Sequence, residues 1–526
     1  MDDALDRRTL LRAGLIGTVG AAAGLGTTAP AARATAVAPH QVRAGRPALT
    51  HGVQSGDVGA RTATVWTRSD RPARMVVEVS RDERFRRGVH RVVGPVLRPA
   101  TDHTGRLVLP NLPPGTELHY RVRAVSLDDP RASSEALVGR LRTPGGRRRD
   151  VRFAWSGDIA GQGWGIEPRY GGFRAADALL RLDPDFFLCS GDTVYADGPL
   201  AEQVLLPDGG TWRNVVTPAK AKVAETLEEY RGQFQYNLLA DNWRRFLART
   251  PQVNQWDDHE VRNNWYPGQI LDDVRYVEKD VDVLAARARR AWGEYVPAGP
   301  SVADPHGRMY RVVRYGPLLD VFVLDMRTHK NANSPNLQQL PAEGVLGEPQ
   351  LRWLERGLDR STALWKVIAS DLPLGLVVRD GAVNQEGLAQ GDPGGPRGRE
   401  GEVARLLSFL QRRGIRNHVW LTADVHYTAA HHYAPDRAAY QAFDPFWEFV
   451  SGPLNAGAFG PGVLDATFGP RAVYVEAPPM ANTSPAQGFQ FFGEVDIDGG
   501  SGRLTVRLRG VDGDVRWQTA LDPHRR

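Results

Sequence analysis

Apolar and polar residues alternate along four short runs early in the chain. These are Thr62-Ala63-Thr64-Val65-Trp66-Thr67, Met75-Val76-Val77-Glu78-Val79, Arg106-Leu107-Val108-Leu109 and Glu117-Leu118-His119-Tyr120-Arg121-Val122-Arg123-Ala124. Turn-forming clusters such as Asn111-Leu112-Pro113-Pro114-Gly115 separate them, and no helical period intervenes. A period of two over short stretches marks half-buried strands, and several of these in succession mark a small sandwich. The pattern predicts an all-β sandwich domain over residues 44–143, followed by a linker at Pro144-Gly145-Gly146-Arg147-Arg148-Arg149.

The period changes at Val151. Short, almost wholly apolar runs now alternate with longer stretches of helical spacing. Val151–Trp155 and Asp185–Cys189 read as strands with a helix, Ala175–Leu182, between them, a βαβ unit of about the usual 30 residues. Further strands are expected at Leu319–Leu324, Trp365–Ala369 and His418–Thr422, with helices at about 221–250, 281–294, 349–359 and 400–413. The tail, Phe489–Ala520, reads as three antiparallel strands. The expected fold class is α/β: a mixed-sheet catalytic domain over residues 150–526, preceded by the small all-β sandwich.

Each candidate central strand runs into a polar cluster. Ser156-Gly157-Asp158 follows the first, and Ser190-Gly191-Asp192-Thr193-Val194-Tyr195-Ala196-Asp197 the second. A run near Val253 leads into Gln255-Trp256-Asp257-Asp258-His259-Glu260. Ser370-Asp371 and Thr422-Ala423-Asp424-Val425-His426 close two more. In α/β folds the carboxyl ends of the strands share one rim, where sites form. Carboxylates crowded there repel one another unless cations lie between them. Asp, His and Tyr ligands without Cys suit hard or borderline metals: Fe(III), Mn, Ca or Zn. One carboxylate shared by two ions gives a two-metal centre, with the ions ~3.5–4 Å apart. Such a pair activates a water molecule, holds phosphoryl oxygens and offsets charge on the leaving oxygen. A covalent serine mechanism fits less well, because no G-x-S-x-G elbow is present.

Composition narrows the alternatives. The chain has 526 residues, 41% of them hydrophobic, enough for more than one structural unit. Its 66 basic and 61 acidic residues leave a net charge of +5, too even a balance for a nucleic-acid footprint. A single cysteine, Cys189, excludes an intrachain disulfide and a Cys-based zinc cluster. It sits in an apolar run and is expected to be a small buried hydrophobe.

The first residues carry a different message. Asp6-Arg7-Arg8-Thr9-Leu10-Leu11-Arg12 precedes a mildly apolar Gly/Ala stretch, and Ala32-Arg33-Ala34 offers a cleavage site. Residues 1–34 therefore resemble a twin-arginine export signal, which implies the export machinery as a partner and a secreted or cell-envelope location. Beyond residue 34 no apolar run reaches the ~18 residues of a membrane span.

Taken together, the clusters resemble a known family. Gly191-Asp192-Thr193-Val194-Tyr195-Ala196-Asp197 is similar to the G-D-x-x-Y-x-D of calcineurin-like and purple-acid-phosphatase-like metallophosphoesterases. Trp256-Asp257-Asp258-His259-Glu260-Val261-Arg262-Asn263-Asn264 is similar to a W-D-D-H-E-x-x-N-N segment of PhoD-type alkaline phosphatases and phosphodiesterases. Thr422-Ala423-Asp424-Val425-His426 resembles their T-G-D-V-H, and Leu324-Asp325-Met326-Arg327 their L-D-x-R. The resemblance runs from about residue 50 to the end. It implies hydrolysis of phosphate mono- or diesters by attack of a metal-held hydroxide. It implies Asp192 as the bridging carboxylate, Tyr195 and His426 on a first metal, typically Fe(III), and Asp258 and Asp424 on a second, often Ca(II), with Zn or Mn as alternatives. His259 would assist the leaving group, and Arg262, Asn263 and Asn264 would hold phosphate. Better-known members carry a Cys after the first strand; here Asp158 takes that place as a harder ligand. Asp371 joins the metal set by its strand-end position alone, with a cap or turn role beside it.

Other residues are read as structural. Asp325 and Arg327 are expected to pair with each other, His431 and His432 to lie at the surface or rim, and His51 to pack in the β-domain. Two rival functions accompany the leading one. The first is a phospholipase-type phosphodiesterase acting on lipids or cell-wall polymers; the second is a non-catalytic surface-binding protein stabilised by metal.

Overall fold

The computed structural model describes residues 46–341 and 344–524, so the export segment expected at residues 1–34 lies outside the described chain. Three parallel strands form the spine of the first sheet: Val151–Ser156, Phe186–Cys189 and Gln252–Asn254. The last two are buried throughout, as strands covered on both faces must be. On one side the tail adds the antiparallel meander Phe491–Ile497, Leu504–Gly510 and Val515–Leu521. A second sheet runs in the order Arg311–Arg314, Leu319–Val323, Trp365–Ala369, His418–Thr422, Phe446–Val450, Thr428–Tyr433 and Pro470–Glu476.

The two sheets meet face to face. Phe153, Trp155, Leu188 and Val495 of the first pack with Val321, Val367, Leu421 and Phe449 of the second. Helices cover both outer faces. Ala175–Leu182, Asp241–Arg249 and Val281–Tyr295 place Leu179, Phe246 and Trp292 in one outer core with Phe187. Gly347–Arg360 and Glu400–Arg413 bury Leu354 and Leu407 in another core with Phe322 and Ile368. Among the described residues, no helix is long and apolar enough to cross a membrane.

The long helix expected over 221–250 is corrected to two. Leu227–Asn237 starts from a capping box, in which Thr226 accepts from the Glu229 amide and Glu229 accepts from the Thr226 amide. The chain then turns at residues 238–240. There the Arg244 guanidinium satisfies the carbonyls of Leu238 and Leu239 before Asp241–Arg249 begins.

The small β-sandwich is present, with a continuity that periodicity did not reveal. His90–Leu97, Ala73–Ser80, Glu117–Ser126 and Leu137–Arg142 form one layer. The other layer, Leu49–Gly56, Ala63–Ser69 and Thr104–Leu109, extends the first catalytic sheet, because Gly56 pairs in parallel with Gln252. Val53, Val65, Met75, Val77, Tyr120 and Val122 fill the space between the layers. Polar ties fix the junction: Trp66 Nε1 donates to the Glu294 carbonyl at 2.7 Å, and Asp57 pairs with Arg311 at 2.8 Å.

Candidate active site

Both sheets send the carboxyl ends of their parallel strands to one edge, and the expected residues converge there. Three groups of ligand atoms each lie within 4.8 Å of one another: Asp158 with Asp192 and His426, Asp192 with Asp258 and His259, and Asp257 with Asp258 and Asp424. Asp192 belongs to the first two groups and Asp258 to the last two, so the three form a chain.

Local backbone geometry aims these side chains. Asp158, Asp192, Asp424 and His426 all adopt left-handed φ values, of 64°, 45°, 65° and 57°. Each strand thus ends in an abrupt reversal that throws its side chain across the sheet edge. Aspartate, asparagine and histidine are the non-glycine residues that enter this region most readily. Close approach also demands glycine at two places. A Cβ on Gly161 would run into the Tyr195 ring, and one on Gly452 into an Asp158 carboxylate oxygen.

Tyr195 is buried, and its hydroxyl lies 2.7 Å from His426 Nε2. The other nitrogen of His426, Nδ1, donates to the Gly457 carbonyl, which leaves Nε2 as an acceptor or ligand atom. Tyr195 also packs its ring 4.2 Å from that of His259. His259 Nδ1 is 2.6 Å from Asp197 Oδ1, and its Nε2 faces Asp258 Oδ1 at 4.0 Å. Asp197 accepts from the Asn263 amide through its second oxygen, at 2.9 Å.

The electrostatics are those of a site with too few positive charges. Burial pushes Asp158 up to about 8, helped by neighbouring Asp258, and Glu260 up to about 7. Burial and then carboxylate repulsion raise Asp192, Asp257 and Asp424 well above the usual range. Burial lowers His426 to about 4, which keeps its imidazole neutral. Burial also opposes the charged form of His259, but Asp197, Asp258 and Asp192 outweigh it and raise its pKa. Both oxygens of Asp158, and Oδ1 of Asp258, are buried without a hydrogen-bond partner. Orphaned carboxylate oxygens facing one another beside a phenol and a neutral imidazole are the donor set that hard cations require.

Arg327 is the cation that most of these acids share, while buried Lys330 pairs with Glu386 alone, at 2.5 Å. The Arg327 guanidinium is fully buried against Asp257 and Glu386; Asp371 lies at 3.1 Å and Asp424 at 3.4 Å. The expected pairing of Arg327 with Asp325 is therefore corrected. Asp325 instead accepts from Trp256 Nε1 and from the amides of Arg327 and Thr328, shaping the loop after its strand. Asp371, expected among the ligands, belongs to none of the three groups and faces Arg327.

The phosphate-binding candidates separate. Arg262 is half-buried, with Nε unpartnered, and Asn263 is exposed. Asn264 is committed elsewhere: its amide N–H donates to Asp258 and its side chain to Asp380 at 3.1 Å. His431 is corrected from rim to interior, where it lies 2.9 Å from Glu448 with only 1% of its surface exposed. His432 is half-buried against Trp447. Cys189 is buried, as expected.

Four contributors carry no role in the reading of the sequence, although three of them stand inside its motifs. Asp197 closes the G-D-x-x-Y-x-D segment, and Asp257 is half of an acidic doublet, so both had a signal. Glu260 stitches the two segments together by accepting from the Thr193 amide at 2.6 Å and the Asp257 amide at 2.7 Å. Glu386 comes from a loop without periodicity and gave no signal.

Comparison with known proteins places the arrangement. A family model described as PhoD-like phosphatase matches residues 153–508, and one for the N-terminal domain of the same proteins matches residues 33–145. Alkaline phosphatase D of Bacillus subtilis (strain 168) is 27% identical over 435 residues, covering 78% of this chain and 70% of that protein. A solved structure of PhoD superposes with a TM-score of 0.68 at 21% identity, over 92% of this chain and 90% of that one. Purple acid phosphatase PPD1 from yellow lupin seeds follows the same fold with a TM-score of 0.55 at 13% identity, over 91% of this chain and 75% of that one.

Proposed function

The chain belongs to the PhoD-like phosphatase family, and from that premise we propose that it hydrolyses phosphate mono- or diesters at the strand-end centre. The observation that carries the reading is the sharing of Asp192 and Asp258 between adjacent groups of orphaned ligand atoms. Asp158, Asp192, Tyr195 and His426 would hold one cation, and Asp192, Asp258 and Asp424 a second. When bound, such ions supply water activation and charge compensation for phosphoryl oxygens. The oxygen-rich set suits Fe(III) beside the Tyr195 phenol and Ca(II) between the carboxylates, with Zn or Mn as the alternatives.

The chain's own groups do the rest. His259 holds a proton on Nε2, the edge turned towards Asp258, and delivers it to the departing oxygen. Asp197 fixes the ring through Nδ1 and stabilises its charged form. Arg262 and Asn263 border the site and anchor the phosphoryl oxygens, Arg262 through a guanidinium whose Nε has no protein partner. Asn264 acts through Asp258, which its amide orients.

Asp192→Asn tests the centre. Turnover of p-nitrophenyl phosphate and tightly bound metal should disappear together; wild-type turnover in this variant refutes the assignment. Elemental analysis with a visible spectrum identifies the ions, because a tyrosinate-to-iron band reports Fe(III) at Tyr195. We further propose export through the twin-arginine pathway. Replacing Arg7 and Arg8 by Lys should hold the precursor in the cytoplasm, and unchanged secretion refutes it.

A further inference from the structure

Across much of the surface, arginines meet carboxylates: Arg68 meets Asp102, Arg152 meets Asp496, Arg174 meets Asp512 and Arg413 meets Asp359. The turn between Ala73–Ser80 and His90–Leu97 departs from this habit. It carries Arg81, Arg84, Arg86 and Arg87, with Arg91 just inside the following strand, against only Asp82 and Glu83. All five arginines are exposed, and none forms an ion pair with any described residue.

The backbone beneath them is fixed. Asp82 spends its oxygens on the amides of Arg84 at 3.0 Å and Arg86 at 2.8 Å. Ser80 Oγ accepts from the Asp82 amide and donates to the Arg87 carbonyl. Phe85 is left-handed, and the Arg121 guanidinium lies 4.5 Å over its ring. Asp82 is therefore engaged in holding the turn, and neither it nor exposed Glu83 forms an ion pair with the five arginines.

A cleft of about 410 Å³ opens beside the turn, lined among others by Arg81, Arg87, His90, Asn111, Leu112 and Leu118. Leu112 and Leu118 are buried, whereas Arg81 and Arg87 are exposed, so an apolar base carries two arginines at its rim beside Asp82, whose oxygens the turn's amides occupy. We propose that this turn and cleft bind linear inorganic polyphosphate, a chain whose negative charges repeat at every phosphorus. Guanidinium forks match phosphate oxygens, and several in a row favour repeated charges over one isolated anion. A flat lipid surface fits less well. Interfacial docking needs projecting apolar side chains, and of the turn's apolar residues only Val89 is openly exposed. This site stands independently of the strand-end centre.

The test compares full-length wild-type protein with the R84E/R86E/R87E variant. Both are titrated with fluorescently labelled medium-chain inorganic polyphosphate, and p-nitrophenyl phosphate turnover is read in parallel. Wild-type protein should bind, with affinity falling as salt rises. The variant should lose at least about tenfold in affinity at unchanged turnover. Equal affinity in the two proteins overturns the proposal. So does equally effective displacement by orthophosphate at matched phosphate concentration, which marks a single-anion site. Loss of turnover together with loss of binding also overturns it, by placing the polymer in the catalytic centre. A variant that loses binding to phosphatidylglycerol vesicles but keeps polyphosphate affinity overturns it in favour of a membrane surface.

Discussion

Arg327 and Asp197 show how single residues support a centre they do not complete. Arg327→Met would leave Asp257 and Asp371 buried without their guanidinium and Glu386 with Lys330 alone. Breaking a buried ion pair from one side typically costs about 3–5 kcal/mol, so denaturant titration should show a loss of that size. Lys at the same position should recover only part of it, because a point charge does not reproduce the planar fork that spans these acids. Asp197→Asn keeps the shape of its side chain but removes the charge beside His259 Nδ1. Initial rates with p-nitrophenyl phosphate should show kcat falling on the order of 100-fold at a nearly unchanged KM, as expected for a residue acting through a proton donor. At this scale much was legible. Asp158, Asp192, Tyr195, Asp258, Asp424 and His426 stand in strand-end clusters that the chain announces, and they do converge. Arg327 was visible as a residue but not as a hub, because its partners Asp257, Asp371, Glu386 and Asp424 come from four separate segments.

The elements behaved according to the strength of their local signals. Helices with a clear apolar stripe fell close to expectation, as Glu400–Arg413 did, ending at left-handed Gly414. The break after Asn237 was hidden because residues on both sides keep helical spacing, and tertiary contacts decide the turn. Among these, the Asn237 side chain donates to the Thr193 carbonyl at 2.6 Å, tying the helix end to the segment that carries Tyr195. The other end of that helix depends on its cap. Thr226→Ala should cost about 1 kcal/mol in thermal or chemical unfolding, with little effect on turnover. Leu49–Gly56 was missed for a different reason. Gln54 and Ser55 are polar yet buried, since Gln252 donates to Gln54 at 3.0 Å, and buried polar residues blur the period-two pattern.

On the scale of the molecule, two stacked sheets and a fused sandwich form a large interior, and not every charge inside it serves the centre. Glu400 lies at the start of its helix with no exposed surface; Gln390 donates to it at 2.7 Å, while Oε1 has no partner. Burial, reinforced by Asp465, pushes its carboxyl up to about 8. The folded chain therefore keeps a proton that the unfolded chain releases near pH 4.5. Stability should fall as pH rises from that value towards 8, then level off. Glu400→Gln should flatten this slope, by an amount on the order of 2–4 kcal/mol across the window, in denaturation series at fixed ionic strength. The α/β architecture and the preceding sandwich could be read from the change of period at Val151. Continuity of the first sheet through Gly56 and Gln252 could not, because it rests on one pairing between residues far apart in the chain.

The left-handed turns at Asp158, Asp192, Asp424 and His426 have an evolutionary implication. Glycine would relax each of these positions and dilute the crowding of acids in the same step. A lineage that gave up the reaction would have every incentive to lose these side chains first. In a randomised library, sorting for heat resistance alone should enrich glycine at these four codons, whereas sorting for turnover should preserve three acids and a histidine.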